Sequence, residues 1–328
     1  MQIYQNLFVI CTVYTGFGPL VKNLKPMKYL FIVNGRPDKA GQRADLEAQL
    51  STLAGAPEYE IYATRCSGDA ASHVRECCEA DPTSEVCFVA CGGDGTIGEV
   101  ASGLASAREA DPAVSGKSMA IFAMGSGNDF IKYYPDRDFR SVEALFAAKP
   151  STIDIMKVND RYSVNVTNFG FDSVVGSTGS KLAAKGWKNP YRWGIVAAIL
   201  KGRFNRISVV ADGEKLGGRR MLLCTLANNH YVGGEFFCAP KARNDDGLID
   251  VCLIRTMPLL SFLKILPVYT AGQHLDNPKF ASKIEYRRAR KVVVTSPKTI
   301  ELCLDGEMMP GTRFDVDILP GAVTLMVP

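Results

Sequence analysis

The stretch Val86-Cys87-Phe88-Val89-Ala90-Cys91-Gly92-Gly93-Asp94-Gly95-Thr96 decides how this chain is read. Its first residues form a short apolar run, the pattern of a buried strand. Beyond it, Ile97, Val100, Ala101 and Leu104 recur at the spacing of a helix face. Three glycines and one acid thus fall at a strand-to-helix turn. Glycine lets a ligand approach where a Cβ would block it, and a helix start offers unpaired N–H groups and a positive dipole end. That combination cradles phosphate. Asp94 would be repelled by bare phosphate, so its place there argues for Mg²⁺ between them. Read alone, the stretch also suits an ordinary glycine turn with a solvated aspartate.

Working outward, Leu30–Val33 runs into the polar loop Asn34-Gly35-Arg36-Pro37-Asp38-Lys39, and Tyr59–Thr64 leads to Ser67-Gly68-Asp69-Ala70 at a helix start. Met119–Ala123 ends in Met124-Gly125-Ser126-Gly127-Asn128-Asp129-Phe130. Strands alternating with helices predict a doubly wound, three-layer α/β domain over residues 27–150. All four loops then lie off the carboxyl ends of the strands, where such sheets bind ligands. From Pro150 on, short alternating runs predict an antiparallel β-sandwich over 151–328, with the last residues free to return to the first domain.

Two stretches carry double readings. Tyr191–Phe204 is helical and apolar with basic flanks, which suits a membrane-surface helix or one packed on its own domain or a partner subunit. Arg287, Arg288, Arg290 and Lys291 suit anionic head groups or a solvated strand edge. Residues 1–26 read as an extension outside the fold, since their apolar run is too short to span a bilayer and lacks the basic lead of a signal peptide.

Composition narrows the classes. A chain of 328 residues with 47% hydrophobic content can bury a core in two domains, and a net charge of +4 permits an anionic ligand without requiring one. Ten cysteines without a CxxC spacing and three scattered histidines argue against zinc or a disulfide framework, and for reduced cytosolic thiols. Gly116-Lys117-Ser118 imitates a P-loop tail, but Asp111 stands where its first glycine belongs. Nucleic-acid binding has no support beyond the modest charge. Asn244-Asp245-Asp246-Gly247-Leu248-Ile249-Asp250 suits a hard cation or a plain turn, and Leu304-Asp305-Gly306-Glu307 suits a base with its partner or a plain turn.

Taken in order, Gly92–Thr96, Gly125–Phe130, Asp245–Asp250 and Leu304–Glu307 resemble the bacterial diacylglycerol kinase/lipid kinase family, related to sphingosine and ceramide kinases. Thr64–Ala70 and the closing Ile318-Leu319-Pro320-Gly321-Ala322 are similar to further motifs of that family, so the resemblance runs from about residue 27 to the end. It implies ATP and Mg²⁺ as cofactors, with lipid and ATP meeting between the domains. The implied nucleotide contacts are Asn34, Thr64, Gly92, Gly93, Asp94, Gly95, Thr96, Glu99, Ser126, Asn128 and Asp129. A structural Mg²⁺ is implied at Asp246, through its side chain, with the carbonyls of Arg243 and Leu248. Glu307 matches the proton acceptor, with Asp305 beside it and Asp94 bearing on the catalytic Mg²⁺.

The chain departs from the pattern at the Asn34 loop, which lacks the usual Asn-Pro…Ser-Gly, at Gly98, where asparagine is common, and at Ser126, which replaces threonine but keeps the hydroxyl. No departure removes an acid, so an active enzyme is expected. The expected reaction is transfer of the γ-phosphoryl group to a primary hydroxyl of a lipid, diacylglycerol by family default. The expected enzyme is cytoplasmic and visits the membrane surface, and a homodimer stays open. The rival readings are an NAD-kinase-like phosphotransferase and a catalytically silent ATP- or lipid-binding regulator.

Overall fold

A computed structural model describes residues 27–170 and 206–328, apart from 54, 218 and 219, and isolated residues between 171 and 205. The extension over 1–26 and the insertion over 191–204 lie outside the described residues. The amino-terminal region alternates β1 (Lys28–Asn34), α1 (Ala40–Thr52), β2 (Tyr59–Thr64), α2 (Asp69–Ala80), β3 (Val86–Gly92), α3 (Asp94–Ala110), β4 (Ser118–Ala123) and α4 (Val142–Phe146). The four strands are parallel in the order β4-β3-β1-β2. Alternate side chains of each strand leave opposite faces of the sheet, so two cores form. Leu30, Ile32, Phe88 and Ile121 pack with Val74, Ile97 and Leu104 of α2 and α3. Phe31, Val33, Val89 and Phe122 pack with Leu46 and Leu50 of α1 and Leu145 of α4. The result is three layers, and the strand order reverses between β1 and β3, so the glycine loop leaves the sheet at a switch point.

The carboxyl-terminal region adds β5 (Lys149–Val158), β6 (Arg161–Ser163), β7 (Val166–Gly170), β8 (Ser208–Ala211), β9 (Glu214–Leu216), β10 (Met221–Ala227) and β11 (Ile249–Arg255). Helix α5 (Leu259–Thr270) follows, then β12 (Ile284–Ala289), β13 (Lys291–Leu304) and β14 (Glu307–Val327). Phe169, Leu226, Val251, Val292, Leu302 and Phe314 share the sandwich interior. Helix α5 covers the opposite face through Phe262, Ile265 and Tyr269 and leaves Leu260 and Leu263 exposed. Strand β14 pairs with β13, then β5, and reaches β4 at Leu325–Met119, so one strand joins both regions. Arg108 of α3 secures its end by donating to the Ala322 carbonyl at 2.9 Å and to Thr324 Oγ1 at 3.1 Å.

The false P-loop lysine has a structural task. Lys117 is buried, and its ammonium donates to the Ser84 carbonyl at 2.6 Å, closing the turn before β3. Among the described residues no helix is long and apolar enough to cross a membrane.

Candidate active site

The glycine loop is held by contact between two backbones. Met124 N–H donates to the Gly92 carbonyl at 2.9 Å, which draws the β4 loop onto the β3 loop. A Cβ on Gly125 would stand 2.4 Å from Gly93 Cα, and one on Gly93 would stand 3.1 Å from Gly125 Cα. Gly125 therefore needs glycine for close approach, whatever ligand it meets, and a Cβ on Gly93 would press the facing loop back by a few tenths of an ångström. At Gly95 a Cβ would meet nothing within 4 Å, so the first turn of α3 faces open space. Asp94 Oδ1 accepts the Phe130 N–H at 3.0 Å, and its Oδ2 takes no hydrogen bond among the described residues. That leaves one free carboxylate oxygen at the helix start, which suits the Mg²⁺ carried by a nucleotide.

Asn34 and Thr64 end β1 and β2 as register partners. Asn34 Oδ1 accepts the Arg36 N–H at 3.1 Å and Thr64 Oγ1 accepts the Gly35 N–H at 3.3 Å, so both shape the first loop. Glu99 Oε2 accepts the Ala70 N–H at 3.1 Å. It thereby caps α2, whose own N-cap is Gly68 at φ +82 with no side-chain acceptor. Asn128 takes φ +50 and donates to the Gly125 carbonyl at 2.8 Å. Asp129 is buried and accepts the Gly234 N–H at 3.0 Å and the Lys132 ammonium at 2.6 Å. It ties the first region to the second.

Across from α3 stand Asp305 and Glu307, and the structure gives them different work. Asp305 has φ +46 and turns its carboxylate inward. Oδ1 accepts from Ser163 Oγ at 2.9 Å, Asn165 N at 3.1 Å and Val166 N at 2.9 Å, and Oδ2 from Val164 N at 2.7 Å. Burial pushes its carboxyl up to about 6 against the pull of those donors. With both oxygens engaged, Asp305 braces the turn that carries Glu307. Glu307 is half-exposed, with Arg161 Nη1 at 3.5 Å from Oε2.

One cavity of about 350 Å³ brings these groups together. Asp94, Gly95, Gly98 and Glu99 line one side, and Arg161, Asp305 and Glu307 line the other. The volume falls within the usual range of small-ligand sites. Asn34, Thr64, Gly92, Gly93, Thr96, Ser126, Asn128 and Asp129 are not among its lining, and neither are Arg243, Asp246 and Leu248.

The Asp246 turn is built by an acid that sequence reading missed. Asp154 is buried in β5 and accepts the N–H groups of Gly247 at 2.6 Å and Gly321 at 2.8 Å, joining two of the quoted motifs. An acid between Ile153 and Ile155 in an apolar run was the available signal. Asp246 Oδ1 accepts the Leu248 N–H at 3.0 Å, while Oδ2 stands against the Arg288 guanidinium. Arg243 pairs with Asp245 at 3.1 Å. This arrangement does not fit the implied structural Mg²⁺, because a cation of the chain already occupies the one carboxylate in its set. Among the described residues no group of three or more His, Cys, Asp or Glu is placed to hold a metal.

A doubly wound domain with a glycine cradle, joined to a β-sandwich that supplies an acid across the cleft, defines a phosphotransferase. Residues 28–158 match the model of the diacylglycerol kinase catalytic domain, and residues 165–327 match that of the YegS C-terminal NAD kinase beta sandwich-like domain. The chain is 30% identical to a diacylglycerol kinase of Bacillus subtilis over 271 residues, 77% of this chain and 82% of that one. It is 28% identical over 272 residues to a protein of Chromohalobacter salexigens named "Probable lipid kinase YegS-like", 81% of this chain and 84% of that one. A crystal structure of a diacylglycerol kinase from Bacillus anthracis superposes with a TM-score of 0.67 at 20% identity, covering 93% of this chain and 98% of that one. The chain belongs to the family of diacylglycerol kinases and YegS-like lipid kinases.

Proposed function

We propose that the chain transfers the γ-phosphoryl group of ATP to a primary hydroxyl of a lipid, diacylglycerol first, giving phosphatidic acid. The observation that carries this reading is the single cavity with Asp94 and Gly95 on one wall and Glu307 on the other. The open first turn of α3 offers backbone N–H groups to the nucleotide phosphates. Asp94 would hold the Mg²⁺ that accompanies ATP, which would neutralise phosphate charge there. The lipid oxygen attacks the γ-phosphorus, the bond to the β–γ bridging oxygen breaks, ADP leaves, and the hydroxyl proton passes to Glu307. Arg161 holds Glu307 toward the cavity. Positioning and charge neutralisation supply most of the acceleration. The enzyme works in the cytoplasm and meets its apolar acceptor at the membrane surface.

The test is phosphoryl transfer from ATP with Mg²⁺ into diacylglycerol vesicles, with NAD offered in parallel. Labelled phosphatidic acid supports the assignment. Labelled NADP, or no labelled product with ATP binding intact, overturns it.

A further inference from the structure

Within the basic run over Arg287–Lys291, several groups are paired inside the molecule, while the Arg290 side chain stays exposed. Arg287 pairs with Glu214, the backbone N–H groups of Arg290 and Lys291 go to Asp212, and the Lys291 ammonium goes to Asp317. Arg288 faces Asp250 across the β11–β12 register. Its guanidinium contacts Asp246 Oδ2 and lies 3.7 Å from Asp250 Oδ2. Both oxygens are buried and neither accepts a hydrogen bond. The other oxygen of each acid is engaged, by Leu248 N–H on Asp246 and by the Tyr286 hydroxyl on Asp250. Two enclosed carboxylates with undersatisfied oxygens demand a nearby positive charge.

We propose that the Arg288 guanidinium is the resident cation of the Asp246 turn, standing where the family pattern puts a structural Mg²⁺, so that this chain closes the turn without metal. A guanidinium suits the place because its planar fork can serve two acceptors at once, which an ammonium serves less well. Mg²⁺ would need the same Asp246 oxygen at roughly 2.0–2.1 Å, so metal and Arg288 exclude one another. Arg288 then ties β12 to the turn from one side, while Asp154 ties it to β5 and Gly321 from the other. The only divalent ion left in the account is the one that travels with ATP.

The test reads metal content and stability, so its outcome is independent of which acceptor is phosphorylated. The full chain is analysed as purified for bound metal by mass spectrometry, then stripped with EDTA and melted with and without millimolar Mg²⁺. Wild type should hold substoichiometric metal and melt at the same temperature in either buffer. Arg288→Gln should melt lower and gain a Mg²⁺-dependent rise of about 2–4 °C, which Arg288→Gln/Asp246→Asn lacks. Should Arg288→Gln not fold, Asp246→Asn decides. Arg288 as partner makes its cost equal with and without Mg²⁺, whereas a metal site confines that cost to Mg²⁺. A stoichiometric ion in wild type, a wild-type melting point that falls with EDTA, or an Arg288→Gln protein indifferent to Mg²⁺ overturns the proposal.

Discussion

Replacing Asp305 by Asn separates a positioning acid from a reacting one. The carboxylate accepts one hydroxyl and three backbone N–H groups. An amide keeps one acceptor oxygen. If that oxygen takes the three donors on the Oδ1 side, the new NH₂ meets Val164 N–H, which now lacks an acceptor. Losing one charge-assisted bond costs about 1.5–3 kcal/mol, and the three that remain weaken from charged to neutral. The summed loss is about 2–4 kcal/mol of folding stability. Urea denaturation reads it directly, and kcat measured on the folded fraction reads the chemistry. Asp305→Asn should lose stability and keep a kcat far above that of Glu307→Gln. Glu307→Gln should do the opposite, with kcat down about a hundredfold or more. Its melting point should barely move, because an exposed ion pair with Arg161 is worth about 0–1 kcal/mol. An Asp305→Asn protein of wild-type stability and abolished turnover would refute the division of roles.

Three further outcomes are expected. Gly125→Ala drives a Cβ into the Gly93 backbone and should cost both stability and ATP affinity, whereas Gly95→Ala should fold normally and raise the KM for ATP by intruding on the cavity, as melting and steady-state kinetics will tell. Because burial raises the Asp305 carboxyl to about 6 from its ordinary 3.8, the native state holds this proton more firmly than the unfolded chain. Its contribution to stability is therefore full below about pH 4 and declines as pH rises through about 6, a slope that Asp305→Asn should remove from a pH series of denaturation curves. Asp154→Asn, which disturbs the acceptor of two glycine N–H groups, should cost about 1–3 kcal/mol in the same denaturation assay.

That the loops after β1, β2, β3 and β4 leave one edge of a parallel sheet was legible because period and glycine placement are local signals. Asp94 drew notice from its glycines at a strand-to-helix turn, whereas Glu307 was singled out only by the resemblance, since its own turn reads equally as a plain Asp-Gly turn. What the acids do was less legible. Asp129 and Asp305 stand among the expected site acids and Asp154 does not, yet each of the three accepts N–H groups from segments far along the chain. Such donors are set by tertiary folding and leave no trace beside the acid. Helix α5 was missed because its near-continuous apolar run, with Pro258 before it and Pro267 inside, offers no clear period. Strand β12 was hidden beneath its arginines, whose partners Glu214, Asp246 and Asp250 come from separate elements or turns. Arg161 had no signal, since only the β5–β6 hairpin brings it to Glu307.

The most direct test of the central claim is transfer of labelled γ-phosphate from ATP and Mg²⁺ into diacylglycerol in anionic vesicles, by wild type and by a Glu307→Gln protein of matched melting temperature. Labelled phosphatidic acid is expected from wild type, with about a hundredfold less from the variant. Equal labelling by both proteins, or label that appears in NADP and not in lipid, would contradict that claim.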